Sequence, residues 1–184
     1  ETERATVASF DGVVLGLPEE IATFPDRALN ADLYLWLAAL TAFVDVGPVE
    51  FVDPLQADLM RLHVANMTVT QALEACPGLV PVYRRLAKAM LDARPNPHLP
   101  TAEHEVELAI LHMLRKACGG PNSEPTAMMS AIMATHPELT GFEAPLNYKT
   151  YRPVELWPTI STGAGSKSKS GTRDDEAGTG AANA

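Results

Sequence analysis

Glu103, His104, Glu105, Glu107 and His112 lie close together in the chain, and all are side chains that can bind a metal or move a proton. A zinc-protease helix needs two histidines four residues apart with a glutamate between them, so that both imidazoles meet one ion from one helix face. His104 and His112 are spaced differently, so that arrangement is missing. Glu105 and His112 share a face but stand about two helical turns apart, too far to meet at one ion. The segment reads as a solvated helix face. His63, His98 and His136 stand alone and read as surface or capping residues. Cys76 and Cys118 form neither a close pair nor a metal-ligand spacing and read as small hydrophobes. The glycine- and serine-rich run at Ser166–Ser170 lacks the G-x-x-x-x-G-K-[ST] spacing of a phosphate loop. No G-x-S-x-G elbow occurs. Catalysis needs groups that converge, so no catalytic, cofactor-binding or metal-ligating residue is expected, and the chain reads as a non-enzyme.

The elements that would carry these residues follow from composition and punctuation. The chain has 184 residues, 46% of them hydrophobic and 20% charged, enough for one domain with a buried core. A formal net charge of −9 repels phosphate backbones and anionic lipid surfaces, so neither nucleic acid nor membrane is an expected partner. The longest apolar run, Leu33–Val44, is too short to span a bilayer. The N-terminus is polar and charged, unlike a signal peptide, so a cytoplasmic location is expected. Glu1 in place of Met is what a processed or excised segment would show.

Apolar β-formers on either side of Asp11-Gly12 predict a short β-hairpin over Ala5–Leu17. Asn30 is the expected cap of a helix over Asp32–Val44, with Leu33, Trp36, Leu37, Leu40 and Phe43 at helical spacing. Gly47-Pro48 should stop it. Asp53-Pro54 predicts a second helix running to about Ala75, before Cys76-Pro77-Gly78. A third is expected over Val80–Ala93, and a fourth from Thr101 to Ala117, ended by Gly119-Gly120-Pro121. A last short helix over Glu124–Thr135 would be capped by Ser123. Beyond Pro137, Tyr148, Tyr151, Val154, Leu156 and Trp157 are spaced by prolines and read as an extended strap packed back on the domain. The expected fold is therefore mainly α: about five helices, an N-terminal hairpin and a C-terminal strap over residues 1–161. Residues 162–184, rich in Gly, Ser, Ala and Thr, read as a disordered linker.

Two runs call for more than composition. One is Phe24-Pro25-Asp26-Arg27-Ala28-Leu29-Asn30, leading into Leu33-Tyr34-Leu35-Trp36-Leu37-Ala38-Ala39-Leu40. The other is Asp53-Pro54-Leu55-Gln56-Ala57-Asp58, followed by Pro77-Gly78-Leu79 and Tyr83. Trp36 is the expected core anchor, its indole N–H finding a partner. With the DG hairpin, Leu17-Pro18 and the closing Tyr151-Arg-Pro-Val-Glu-Leu-Trp157, these runs make the chain from Arg4 to about Pro158 resemble the NorD family of nitric oxide reductase activation proteins. The related CbbO proteins, which serve RuBisCO activation, share the general plan.

The resemblance implies a function. Such proteins carry a von Willebrand factor A domain near their C-terminus, with a D-x-S-x-S metal site, and work with a MoxR-type AAA+ ATPase hexamer, NorQ for NorD. The pair remodels a client, which for NorD is the nitric oxide reductase during insertion of its non-haem iron. This chain holds neither D-x-S-x-S nor an ATPase motif, so no cofactor is expected in it and the metal would belong to the other domain. Its expected role is that of an adaptor that docks on the ATPase. Phe24, Pro25, Asp26, Arg27, Asn30, Tyr34, Trp36, Asp53, Tyr83 and Trp157 are the candidate interaction or family-motif residues. Three other readings stay open: a CbbO-type adaptor with RuBisCO as client, a structural spacer, and an enzyme using Glu105, His112 and the Tyr148/Tyr151 strap.

Overall fold

In the computed structural model, residues 9–10, 15–17, 21–44, 51–95, 97–120 and 124–160 are described. Five α-helices form the body: α1 (Arg27–Leu40), α2 (Pro54–Ala75), α3 (Val80–Ala93), α4 (Thr101–Ala117) and α5 (Ala127–Met133). α3 packs on α1 and α4, while α2 packs on α5 and α1, and α5 also touches α4. The mainly helical fold expected from the sequence is therefore the observed one.

Helix ends show which local bonds win. α1 starts earlier than expected, because Asp26 and not Asn30 is its cap: Asp26 is extended and its carboxylate accepts the Ala28 N–H at 2.8 Å. Asn30 turns backwards instead. Its amide accepts from the Phe24 N–H at 2.9 Å and donates to the Phe24 carbonyl at 2.8 Å, pinning the chain that leads into the helix. α1 ends at Leu40 and tightens into a 3-10 turn over Thr41–Phe43. The Gly47-Pro48 stop lies outside the described residues. α2 and α3 have the expected bounds, with Asp53 capping α2 and Pro54 in its first turn. α4 also matches its expected bounds. It closes in a Schellman arrangement: Gly119 takes φ 71°, and the Gly120 N–H reaches the Arg115 carbonyl at 3.0 Å. α5 is shorter than expected. Thr126, not Ser123, caps it by accepting the Met129 N–H at 3.2 Å, and Ala134 is already extended. Ser123 itself lies outside the described residues.

The hairpin expected over Ala5–Leu17 is not supported at that length. The described pairing is confined to β1 (Ser9–Phe10) and β2 (Leu15–Gly16), antiparallel, and Asp11–Val14 lie outside the described residues. A third strand, β3 (Thr159–Ile160), pairs in parallel with β1, giving the order β2-β1-β3. The end of the strap thus takes regular backbone pairing, which its prolines and mixed composition did not announce.

The core draws on all five helices and the strap, and its aromatic centre lies where α1, α3 and the strap meet. Trp36 is fully buried, as are Leu33, Leu37 and Leu40 along the same side of α1. The Trp36 ring lies 4.3 Å from that of Tyr83 on α3, tilted by 33°. Its indole N–H donates to the Leu156 carbonyl at 2.8 Å. Tyr83 in turn accepts the indole N–H of Trp157 at 3.1 Å. Both indole N–H donors of this aromatic group therefore have acceptors inside the core, where an unpaired group would be costly.

Replacing Trp36 by alanine removes the ring, leaves a cavity and orphans the Leu156 carbonyl. The expected loss is about 3–5 kcal/mol of stability, read from urea denaturation followed by circular dichroism. A loss below about 1 kcal/mol would contradict the placement of Trp36 at the centre of the core.

Candidate interaction site

The strap is fastened to α2 by the motif that opens that helix. Asp53 uses one carboxylate oxygen as the helix cap, accepting from Leu55 and Gln56 at 2.9 and 3.0 Å, and the other to accept the Ala144 N–H at 2.8 Å. Burial pushes its carboxyl up, but the three backbone N–H groups of Ala144, Gln56 and Leu55 together hold it below the usual carboxylate range. Gln56 donates to the Phe142 carbonyl at 2.7 Å. One turn on, Asp58 is fully buried. It accepts from Arg61 at 2.6 Å, from the Tyr148 hydroxyl at 2.8 Å and from the Tyr151 N–H at 3.3 Å. Asn147, at φ 71°, makes the turn that brings Tyr148 to this carboxylate; asparagine tolerates the left-handed region better than most residues.

A second fastening lies on the far side of the strap. Arg94 forms a forked pair with Glu107 of α4 and also donates to the Arg152 carbonyl at 3.0 Å. Both charged side chains are largely out of solvent, at 3% and 12% exposure, where the planar guanidinium fork suits a carboxylate better than an ammonium would. One Glu103 oxygen accepts the Lys149 N–H at 3.2 Å.

The ten candidate residues divide accordingly. Phe24, Trp36, Tyr83 and Trp157 are buried parts of the core. Asp26, Asn30 and Asp53 bond to backbone. Pro25 and Arg27 are exposed, and Tyr34 is half-buried on α1. These residues are not gathered on one surface; most hold the chain together. His63, expected at the surface, is buried, its Nδ1 2.9 Å from the Ile132 carbonyl, and so it ties α2 to α5. Nothing in the local sequence separated it from an exposed helix position, because its partner lies on a helix far along the chain. Gln56, Asp58, Arg94, Glu107 and Tyr148 were missed as anchors. For Asp58 and Gln56 the signal was present in the motif itself; for Arg94, set among prolines, there was none. Among the described residues, no group of three or more His, Cys, Asp or Glu could hold a metal ion. No described helix is long and apolar enough to cross a membrane.

Among the described residues, three helices frame a surface recess. A groove of about 390 Å³ lies between the C-terminal half of α2, the first turn of α3 and the last turn of α4. Val69, Tyr83 and Met113 form its buried floor, and Leu73, Val80 and Ala117 its half-buried walls. Arg84, Lys116 and Glu74 stand at its rim, all exposed.

The clamp has a pH signature. Burial pushes the Asp58 carboxyl up, against the pull of the Tyr148 hydroxyl, the Arg61 charge and the Tyr151 N–H. The folded chain therefore holds this proton more tightly than the unfolded chain, whose carboxyl titrates near 3.8. The group's contribution to stability is greatest below that value and is lost as pH rises through the folded pKa. Asp58→Asn lacks this titration. The stability of the native chain relative to Asp58→Asn, from urea midpoints, is expected to rise as pH is lowered from neutral toward about 4. A difference that shrinks over that range would contradict the assignment.

No family model matches the chain, and no solved structure matches it. The protein NorD of Brucella abortus is 38% identical over 151 residues, covering 82% of this chain and 22% of its own length. The protein NorD of Stutzerimonas stutzeri is 41% identical over 114 residues, covering 60% of this chain and 16% of its own. An uncharacterized protein of Pseudomonas aeruginosa is 38% identical over 125 residues, covering 66% of this chain and 18% of its own. The chain thus spans about a fifth of the length of the curated relatives it matches. Taken with the motif runs that resemble NorD, the similarity across most of this sequence means that the chain belongs to the NorD family.

Proposed function

We propose that this chain is a non-catalytic docking domain of a NorD-type protein. It would hold that protein on a MoxR-type AAA+ ATPase of the NorQ kind, so that the pair can activate nitric oxide reductase by assisting insertion of its non-haem iron. The observation that supports this reading is where the polar groups of the family-like motifs go. Asp26, Asn30, Asp53, Gln56 and Asp58 bond to the chain's own backbone and strap. Motif runs whose polar groups are taken up within the chain fit a module whose work is done through its surface.

In this reading the ATPase supplies the energy of remodelling and the chain supplies attachment. A scaffold suited to that task keeps its shape under load, and the strap fastened from two sides serves that end. No cofactor is assigned to this chain, and any metal site belongs to another part of the protein.

A pull-down of the chain on the immobilised MoxR-type ATPase, with and without ATP, tests the proposal. Specific retention is expected. Absence of retention by a chain shown to be folded by circular dichroism would contradict docking and would favour a spacer role.

A further inference from the structure

The groove between α2, α3 and α4 has a shape and a rim that together specify a guest. Along α2 its lining runs from Asn66 to Glu74 through Val69, Thr70 and Leu73, a length of about 12 Å or a little over two helical turns. Its apolar members on α2, Val69 and Leu73, stand one turn apart and, with Val80, Tyr83 and Met113, can accept the i, i+4 side chains of a helix laid along them. A volume of about 390 Å³ sits at the small end of the range for built recesses, enough for a few large apolar anchors.

The rim reverses the sign of the molecule. The chain carries a formal net charge of −9, yet two of the three charged residues lining the groove are cations, Arg84 of α3 and Lys116 of α4. Lys88, one turn on from Arg84 along α3, and Asp92, a further turn on, also stand near Cys118 at the end of α4. Arg61, Arg85 and Arg94 are each committed to a carboxylate; Arg84 and Lys116 form no ion pair among the described residues. Glu74 is the one acid in the lining. Exposed cations beside an apolar trough attract acidic groups and select against basic ones, acting on encounter and orientation more than on final affinity. A second copy of this chain is disfavoured by the same charge, because two strongly acidic molecules repel.

We infer that this groove receives an amphipathic helix of the partner, its apolar residues one turn apart over Val69, Leu73, Tyr83 and Met113 and its acidic residues flanking them towards Arg84 and Lys116. The inference rests on the docking role proposed above and gives that role its surface and the chemistry of its partner.

The test titrates the full chain against the MoxR-type ATPase by biolayer interferometry, beside two variants: Leu73→Glu, which puts a charge in the trough, and Arg84→Glu/Lys116→Glu, which reverses the rim on exposed positions and leaves the core intact. Both variants are expected to bind at least about tenfold more weakly with an unchanged circular dichroism spectrum, and binding of the unaltered chain is expected to weaken as salt is raised. If the unaltered chain binds and both variants bind equally well, the groove assignment is overturned while docking stands. Loss with Leu73→Glu but not with the rim reversal overturns the acidic guest. Self-association of the chain, abolished by the same substitutions, assigns the groove to a second copy and overturns the inference. If the unaltered chain does not bind, the docking role falls, and this partner with it.

Discussion

The hydrogen bond from the Trp36 indole to the Leu156 carbonyl joins residues far apart in the chain and is buried in the core. Around it, Trp36 leans on Tyr83 and Tyr83 accepts from Trp157. Three segments that share no local sequence relation, α1, α3 and the strap, are thereby locked to one another. The aromatic group provides apolar area, and its two indole N–H donors choose which backbone and side-chain acceptors the strap must present. A strap without such acceptors would leave polar atoms buried and unpaired, at the cost of a lost bond each.

The remaining fastenings extend this constraint along the strap. Asp53, Gln56 and Asp58 hold residues 142–151 from the α2 side, and Arg94 holds Arg152 while pairing with Glu107. Two buried acids, Asp58 and Glu107, are thus tolerated: Asp58 has the Arg61 guanidinium and bonds from Tyr148 and Tyr151, and Glu107 has both oxygens on the Arg94 fork. Such buried pairs contribute less to net stability than to holding one arrangement of the chain. The segment from Leu139 to Trp157, mostly irregular, is in effect part of the core, with Leu139, Val154, Leu156 and Trp157 all buried.

How far this could be read in the sequence depended on whether the deciding interaction was local. The bounds of α2 and α3 were legible because Asp53-Pro54, Cys76-Pro77 and Pro81 act within a turn of where they stand. Trp36 was legible as an anchor because a large indole on a strongly apolar helix has few other fates. The cap of α1 was misplaced because Asp26 and Asn30 are both good caps, and only the reach of Asn30 back to Phe24 decides between them. His63 was misplaced because its acceptor lies on α5. The β1–β3 pairing and the groove were invisible for the same reason: each needs elements distant in sequence to be set side by side first. Family resemblance singled out the motif runs, and in the structure most of their polar groups bond within the chain itself.

Native-state hydrogen exchange on the intact chain tests the central claim, that the strap is part of the cooperative core, most directly. The amides of Ala144, Tyr151 and Trp157 are bonded to Asp53, Asp58 and the Val154 carbonyl. They are predicted to open only with global unfolding, with protection close to that of Leu59 and Leu62 in α2. Exchange at those three amides near the free-peptide rate, while α2 stays protected, would show that the strap opens on its own and would contradict the account.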